Sequence, residues 1–212
     1  MEAVIPLAFT ASWASGINPY LLVFLMGILG RLTSMEVPSA FERLDVLIVF
    51  AVLVVIDAIA DKVMWLDSAW DVFNTAIRPI AGGTVAILIA SPSLELPTAV
   101  IAASGGAVAL ITHLAKATTR IAVNASPEPA SNIAVSFAED LAIVGVVLLA
   151  IWYPWLAGGI ALALFLIAVV VALLLVRTAR AALRRRRDRR RATPETTPAR
   201  TESISGNADP PE

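Results

Sequence analysis

The feature that most constrains the fold is residues 156–176, a run of 21 residues without a charged side chain. A helix of about 20 apolar residues crosses the hydrocarbon core of a bilayer. Further apolar blocks, some of them shorter, lie at 1–15, 19–31, 44–59, 77–90, 98–117 and 133–151. The pattern predicts an all-α polytopic integral membrane protein with about six transmembrane helices plus short or broken half-helices.

Composition supports this class and excludes several kinds of site. Hydrophobic residues make up 58% of the chain and charged residues only 16%, whereas soluble domains carry about a quarter. The absence of cysteine excludes disulfides and thiolate ligands. With His113 as the single histidine, we expect no metal site, no cofactor and no catalytic set.

The charges divide the chain into two domains. Residues 1–176 carry a formal charge of −6 and residues 177–212 one of +5. We expect a transmembrane domain over 1–178 and a disordered polybasic tail over 179–212. Arginines near the last span favour a cytoplasmic C-terminus in a bacterial inner membrane. The first arginines of the tail are candidates for binding anionic lipids: Arg184, Arg185, Arg186 and Arg187.

A helix break is predicted at Gly16–Pro19, because Pro19 disfavours helix at the preceding residue. Residues 3–15 before it are short for a full span, so they either cross the membrane or form a re-entrant half-helix. Asn18 at the break is a candidate ligand in a solute path. It would equally serve as the cap of the second half-helix.

An internal similarity suggests an inverted repeat. Aligning residues 14–31 with 103–120 matches Ala-Ser-Gly with Ala-Ser-Gly and Arg31 with Arg120. We therefore expect repeats over 3–60 and 78–150, with an extra span at 156–176. In transporters built this way, interrupted segments meet near the midplane. Chance similarity among common membrane residues is the alternative.

Ionisable residues on consecutive segments form the main candidate site. His113, Lys116 and Arg120 share one helix face, and the next span carries Glu139 and Asp140. With Gly16, Asn18 and Gly105, these residues are predicted to line a substrate or ion path, in which His113 would titrate near neutral pH. The alternative is a structural clamp in which Lys116 or Arg120 neutralises Glu139 or Asp140.

A second acidic series is interpreted as a solvated face. Its members are Asp57, Asp61, Asp67 and Asp71. Their spacing matches no calcium loop, and Asp61 or Asp71 is expected to pair with Lys62 or Arg78. Pro79 suits the first turn of a new helix after a segment at the headgroup level.

Several motifs resemble those of the bacterial membrane-protein family called domain of unknown function 4126. They are SGINPY, IADKVMWLDSAWD, IRPIAGG, HLAKATTR, NASPEPASN and AED, in this order over residues 8–150. The resemblance implies an integral membrane protein and assigns no activity, catalytic residue or cofactor.

Three functions are compatible with these features. The first is a small transporter or channel for a small ion or an anionic solute. The second is a non-transporting scaffold that binds lipids or partners, and a homo-oligomer fits either. The third is a membrane enzyme, and only the Asp residues and His113 support this function. Nucleic acid is not an expected partner.

Overall fold

The computed structural model describes residues 3–33, 37–60, 64–91, 93–124 and 129–192. Every regular element within these residues is a helix, so the predicted all-α class is confirmed. The helices are α1 Val4–Ile17, α2 Pro19–Leu32, α3 Leu44–Ala60, α4 Met64–Ala90, α5 Thr98–Asn124, α6 Pro129–Trp152 and α7 Pro154–Ala192. The contacts divide the chain into two units, Met1–Val176 and Arg177–Glu212.

Four helices contain stretches long and apolar enough to cross a membrane. These stretches are Ala69–Ala90, Thr98–Val123, Ile133–Trp152 and Pro154–Arg185. The apolar helices α1 and α2 have 14 residues each, or about 21 Å at 1.5 Å per residue. Because the hydrocarbon core is about 30 Å thick, neither helix crosses it alone. The architecture is that of a polytopic membrane protein with broken half-helices.

Helix α1 lies at the centre of the first unit and packs against α2, α4, α5 and α6. Its contact with α4 and α5 depends on small residues. A Cβ atom on Gly105 would run into Cβ of Ala86 and would lie 2.7 Å from the carbonyl oxygen of Gly82. The same atom would be 3.0 Å from Oγ of Ser12. Close approach of backbones at small residues is a common way to pack helices in lipid.

Helices α3 and α7 lie at the periphery. Only 6% of the apolar window of α7 is buried, against 28–33% in the other three candidate spans. Helix α3 exposes most of its large apolar side chains but buries Asp57. In a bilayer these outward faces meet lipid or a partner helix.

The structure differs from the sequence interpretation at two places inside the helices. Pro79 lies within α4 and does not begin a new helix, so the segment assigned to the headgroup level continues into the apolar one. A proline inside a membrane helix is tolerated because neighbouring groups satisfy the freed backbone. Gly105, in the second copy of the predicted repeat, lies within the continuous helix α5, so this copy has no break corresponding to the one at Gly16–Pro19.

The second unit begins in the last part of α7. Helix continues through Ala192, whereas the sequence composition predicts disorder from residue 179. Alanine, leucine and arginine have high helix propensity, which explains the difference. Arg184 and Arg185 are exposed on this helix. The side chains of Arg186 and Arg187, and the rest of the tail from residue 193, lie outside the described part of the chain.

Candidate functional site

The break between α1 and α2 is built by two adjacent residues. Asn18 has an extended backbone, with φ −152° and ψ 92°, and Pro19 occupies the first position of α2. The Asn18 side chain caps α2 by accepting a hydrogen bond from the Leu21 N–H at 2.9 Å. The capping role, one of the two roles considered for Asn18, is therefore present.

Two basic side chains bind the end of α1. Its last carbonyls have no continuing helical turn to bond to, and the C-terminal end of a helix carries partial negative charge. Arg78 Nη1 of α4 donates to the Gly16 carbonyl at 3.4 Å. Lys116 Nζ of α5 donates to the Ile17 carbonyl at 3.2 Å. The break therefore gathers cations from α4 and α5 inside the bundle.

The first group of charges at the break is an aspartate–arginine cluster formed by Asp57, Asp71 and Arg78. Arg78 is fully buried, 3.9 Å from Asp57 Oδ1 and 3.7 Å from Asp71 Oδ1. Both distances exceed those of a direct hydrogen bond. Trp70 Nε1 donates to Asp57 Oδ1 at 2.7 Å. Here one cation lies between two carboxylates.

His113 extends this cluster through a chain of hydrogen bonds. Arg78 Nη1 lies 2.7 Å from His113 Nδ1, and Thr75 Oγ1 lies 2.9 Å from His113 Nε2. Arginine has only donors, so Nδ1 accepts, and the neutral ring then carries its proton on Nε2. In this arrangement His113 is an acceptor for Arg78, whereas the sequence predicts a titrating group. Thr75 Oγ1 in turn donates to the Asp71 carbonyl at 2.8 Å.

The second group is a lysine–arginine–glutamate cluster formed by Lys116, Arg120 and Glu139. Glu139 Oε2 lies 3.4 Å from Lys116 Nζ and 3.2 Å from Arg120 Nη2. The expected pairing of Glu139 with these cations is present. Asp140 lies close by, where its Oδ1 accepts a hydrogen bond from Asn18 Nδ2 at 3.4 Å. Here one carboxylate lies between two cations.

Both clusters lie among side chains that are shielded from solvent. Relative exposure is 0% for Arg78, 1% for Asp57 and Arg120, 6% for Lys116 and 8% for Asp71. Glu139 and Asp140 are partly buried. The formal charges of these seven side chains, with three cations and four carboxylates, sum to −1. We call the seven side chains, together with Asn18 and His113, the polar layer.

The two glycines predicted to line a path occupy close helix contacts. Gly105 packs against α4 as described above. A Cβ atom on Gly16 would run into the Ala109 carbonyl and would lie 3.0 Å from Cγ2 of Thr112. Glycine is needed at both positions because α1, α4 and α5 approach each other there. Among the described residues no group of three or more His, Cys, Asp or Glu side chains is placed to hold a metal ion.

Sequence reasoning missed the contribution of α3 and α4. The solvated-face interpretation is wrong for Asp57 and Asp71, which are buried, although the expected pairing of Asp71 with Arg78 is present. The side chains of Asp61 and Asp67 lie outside the described part. Tyr20 donates to buried Asn74 at 2.9 Å. The sequence did contain a signal for a buried face of α4. Residues spaced four apart along a helix lie on the same face, and in α4 they are Asn74, Arg78, Gly82, Ala86 and Ala90.

The comparisons with known proteins concern the family alone. A family model described as domain of unknown function (DUF4126) matches residues 5–173. No curated protein and no solved structure matches the chain. The matched range contains every residue of the polar layer and most of the chain, so this protein belongs to the DUF4126 family.

Proposed function

We propose that this protein is a small transporter or channel for a small ion, which passes through the polar layer at the α1–α2 break. One observation carries the proposal. Seven ionisable side chains from four helices converge on a helix break inside an apolar bundle. Ionisable groups at membrane depth are costly, and in membrane proteins they commonly mark ion paths and proton relays.

The charge of the layer favours a cation over an anion. The formal charge of its described side chains is −1, and a bound anion would make this charge more negative. An anionic solute would have to bind at Lys116 and Arg120, where Glu139 already occupies the space between them. We therefore place a small cation first among the candidate ions and an anionic solute second.

The cellular setting is proposed together with this function. Nine arginines between residues 177 and 191 favour a C-terminus in the cytoplasm. We propose a multi-pass protein of a bacterial inner membrane, in which Arg184–Arg187 attract anionic lipid headgroups. The inverted repeat over 3–60 and 78–150 stays a prediction.

Ion flux into vesicles tests the proposal. Purified protein in liposomes would be exposed in turn to gradients of H⁺, Na⁺, K⁺ and Cl⁻. We expect flux of one cation above that of protein-free vesicles, and its loss in Lys116→Ala and Glu139→Ala. Arg43→Ala is the matched control, because Arg43 forms an exposed ion pair with Asp45 at 2.7 Å. The proposal fails if folded protein passes none of these ions, or if the polar-layer variants match wild type.

The second candidate function is a scaffold, and the exposed apolar surface at the periphery of the bundle favours it. Helix α7 leaves almost all of its apolar window uncovered, which suits contact with lipid or with another membrane helix. A scaffold would bind partners without any flux. Co-purification from membranes, compared with a variant lacking residues 184–212, tests the contribution of the basic segment. If that variant co-purifies with the same partners as the wild-type protein, the basic segment does not contribute to the scaffold function.

A further inference from the structure

We propose that a cavity between α1, α5, α6 and α7 binds one single-chain lipid whose head group is an uncharged hydroxyl. We call this space the large cavity. Its volume is about 340 Å³, and its lining includes Ile17, Glu139, Leu164, Ile167 and Val171. The site shares Glu139 with the polar layer, but it would exist without transport.

The course of α7 creates the large cavity. Near its start α7 packs closely on α1, where a Cβ atom on Gly158 would lie 2.6 Å from Cβ of Pro6. Farther along, the rings of Phe165 and Phe9 meet edge to face with their centroids 6.0 Å apart. From residue 166 to residue 176 no side chain of α7 is buried. Beyond Phe165 the helix therefore stands away from α5 and α6, and the cavity lies in the space between them.

The lining of the large cavity favours a hydrocarbon chain as its occupant. Its lining residues are apolar except for Thr112, Lys116, Thr119 and Glu139, and both threonine hydroxyls donate to carbonyls one turn earlier in α5. A cavity with apolar walls stays dry, and an empty one loses the dispersion contacts of its lining. The volume is near the lower end of the range of about 300–1,000 Å³ for ligand pockets. One lipid chain fits this space better than two.

The polar end of the large cavity calls for a head group that donates a hydrogen bond. Lys116 and Glu139 both line the cavity, and Lys116 Nζ lies 3.4 Å from Glu139 Oε2. The Glu139 side chain is 18% exposed and that of Lys116 only 3%. Both ion pairs of Glu139 use Oε2, so Oε1 takes part in neither. Because a carboxylate oxygen only accepts hydrogen bonds, a ligand that binds Oε1 has to be a donor.

The charge around this end favours a hydroxyl over an ammonium or a carboxylate group. The formal charges of Lys116, Arg120, Glu139 and Asp140 sum to zero. An ionised head group would therefore add an unbalanced charge in largely apolar surroundings, which is costly. A hydroxyl supplies one donor without adding charge. The ligand class is thus a long-chain alcohol or another single-chain lipid that ends in a hydroxyl.

A second cavity on α7 offers a comparison without charge. This small cavity has a volume of about 200 Å³ and lies between α5 and α7. Its described lining residues carry no charge, and its one hydroxyl, on Thr118, donates to the Leu114 carbonyl at 2.7 Å. A lipid chain can enter the small cavity, but no charged group there selects a head group. Ala168 lines the large cavity, and Ala172, one turn later, lines the small one.

Photoaffinity labelling of the full-length protein in liposomes tests the site. The probe is a long-chain alcohol with a diazirine in its chain, and mass spectrometry of peptides locates the adducts. We expect saturable labelling of the lining of the large cavity. The unlabelled alcohol should compete about tenfold better than the carboxylic acid, the amine or the alkane of the same chain length, as expected for one hydrogen bond to a charged group.

Three variants separate the chain from the head group. Ala168→Leu fills the large cavity and should abolish saturable labelling there. Ala172→Leu is the matched control, because it narrows the small cavity and should leave labelling of the large cavity unchanged. Glu139→Gln replaces the carboxylate with an uncharged amide, so the preference for the alcohol should fall to about threefold, as for a neutral hydrogen bond.

Each other outcome would overturn part of the site. Labelling that does not saturate would mean that the cavity meets only the surrounding bilayer lipids. Equal or stronger competition by the acid, the amine or the alkane would overturn the hydroxyl head group. Labelling that persists in Ala168→Leu would overturn the location. The competition series uses wild-type protein and stays decisive if a variant fails to fold. Since no readout here measures ion flux, the lipid site and the transport role can fail independently.

Discussion

The two charge clusters on either side of the α1–α2 break are opposite in composition. The aspartate–arginine cluster places one cation between two carboxylates, at 3.7 and 3.9 Å. The lysine–arginine–glutamate cluster places one carboxylate between two cations, at 3.4 and 3.2 Å. One cation of each cluster also donates a hydrogen bond to a carbonyl at the end of α1.

The difference suggests separate roles for the two clusters. The shorter distances around Glu139 are those of a direct clamp between α5 and α6. The longer distances around Arg78 leave space for water between the guanidinium and the two carboxylates. The same helix break is thus held by direct contacts on one side and by longer separations on the other. Both clusters belong to the polar layer, so variants of either should lower stability, and the two losses should differ in size.

The largest effect is expected from Arg78→Met, which removes the cation of the aspartate–arginine cluster. The two carboxylates would lose the guanidinium that lies 3.7 and 3.9 Å from them, and removing one partner of a buried ion pair costs about 3–5 kcal/mol of unfolding free energy. Denaturant unfolding in detergent measures this loss. Arg43→Met, at the exposed pair with Asp45, should leave stability unchanged. Equal stability of the two variants would show that Arg78 does not hold the cluster together.

Glu139→Gln tests the other cluster by removing the charge between Lys116 and Arg120. The expected loss is about 1.5–3 kcal/mol, the usual range for hydrogen bonds to charged groups. It should be smaller than for Arg78→Met because the Glu139 side chain is 18% exposed, whereas Arg78 is fully buried. The same unfolding experiment applies, with the exposed Glu95→Gln as control. A loss larger than that of Arg78→Met would show that the lysine–arginine–glutamate cluster contributes more to stability than the aspartate–arginine cluster.

The lysine–arginine–glutamate cluster was predictable from sequence because it is local. Its cations lie on one face of α5, and Glu139 follows in the next helix after a short connection. Two consecutive helices joined in this way are neighbours, so the pairing needs no knowledge of the remaining fold. The membrane class was predictable for the same reason, since apolar length is a local property.

The aspartate–arginine cluster was not predictable in this way. Asp57 lies on α3 and Asp71 on α4, between aromatic and acidic residues that resemble a segment at the membrane surface. Their burial depends on α4 continuing through Pro79 and packing against α1 and α5, which is tertiary information. The repeated spacing of four along α4 was present in the sequence, but Pro79 argued for a helix start. The rule that a proline marks the boundary of a helix does not hold for a proline inside a packed membrane helix.

Gly105→Ala tests whether the contact between α4 and α5 keeps the clusters in place. The added methyl group would collide with Ala86 and the Gly82 carbonyl, and overpacking of this kind costs about 1–3 kcal/mol. Gly145→Ala is the matched control, because nothing lies within 4 Å of its Cβ position and alanine favours helix. We expect Gly105→Ala to destabilise the protein, since Arg78 and His113 reach each other across the contact between α4 and α5. Equal stability of the two variants would mean that the helices yield to the added methyl group.

The smallest effect is expected from Asn18→Ala, at the residue between the clusters. The substitution removes the cap of α2, which costs about 1 kcal/mol, and the hydrogen bond to Asp140. Asn18→Ser retains a capping oxygen and should recover most of the stability. A loss in Asn18→Ala as large as that in Arg78→Met would mean that Asn18 links the two clusters into one network, and treating them as separate clusters would be wrong.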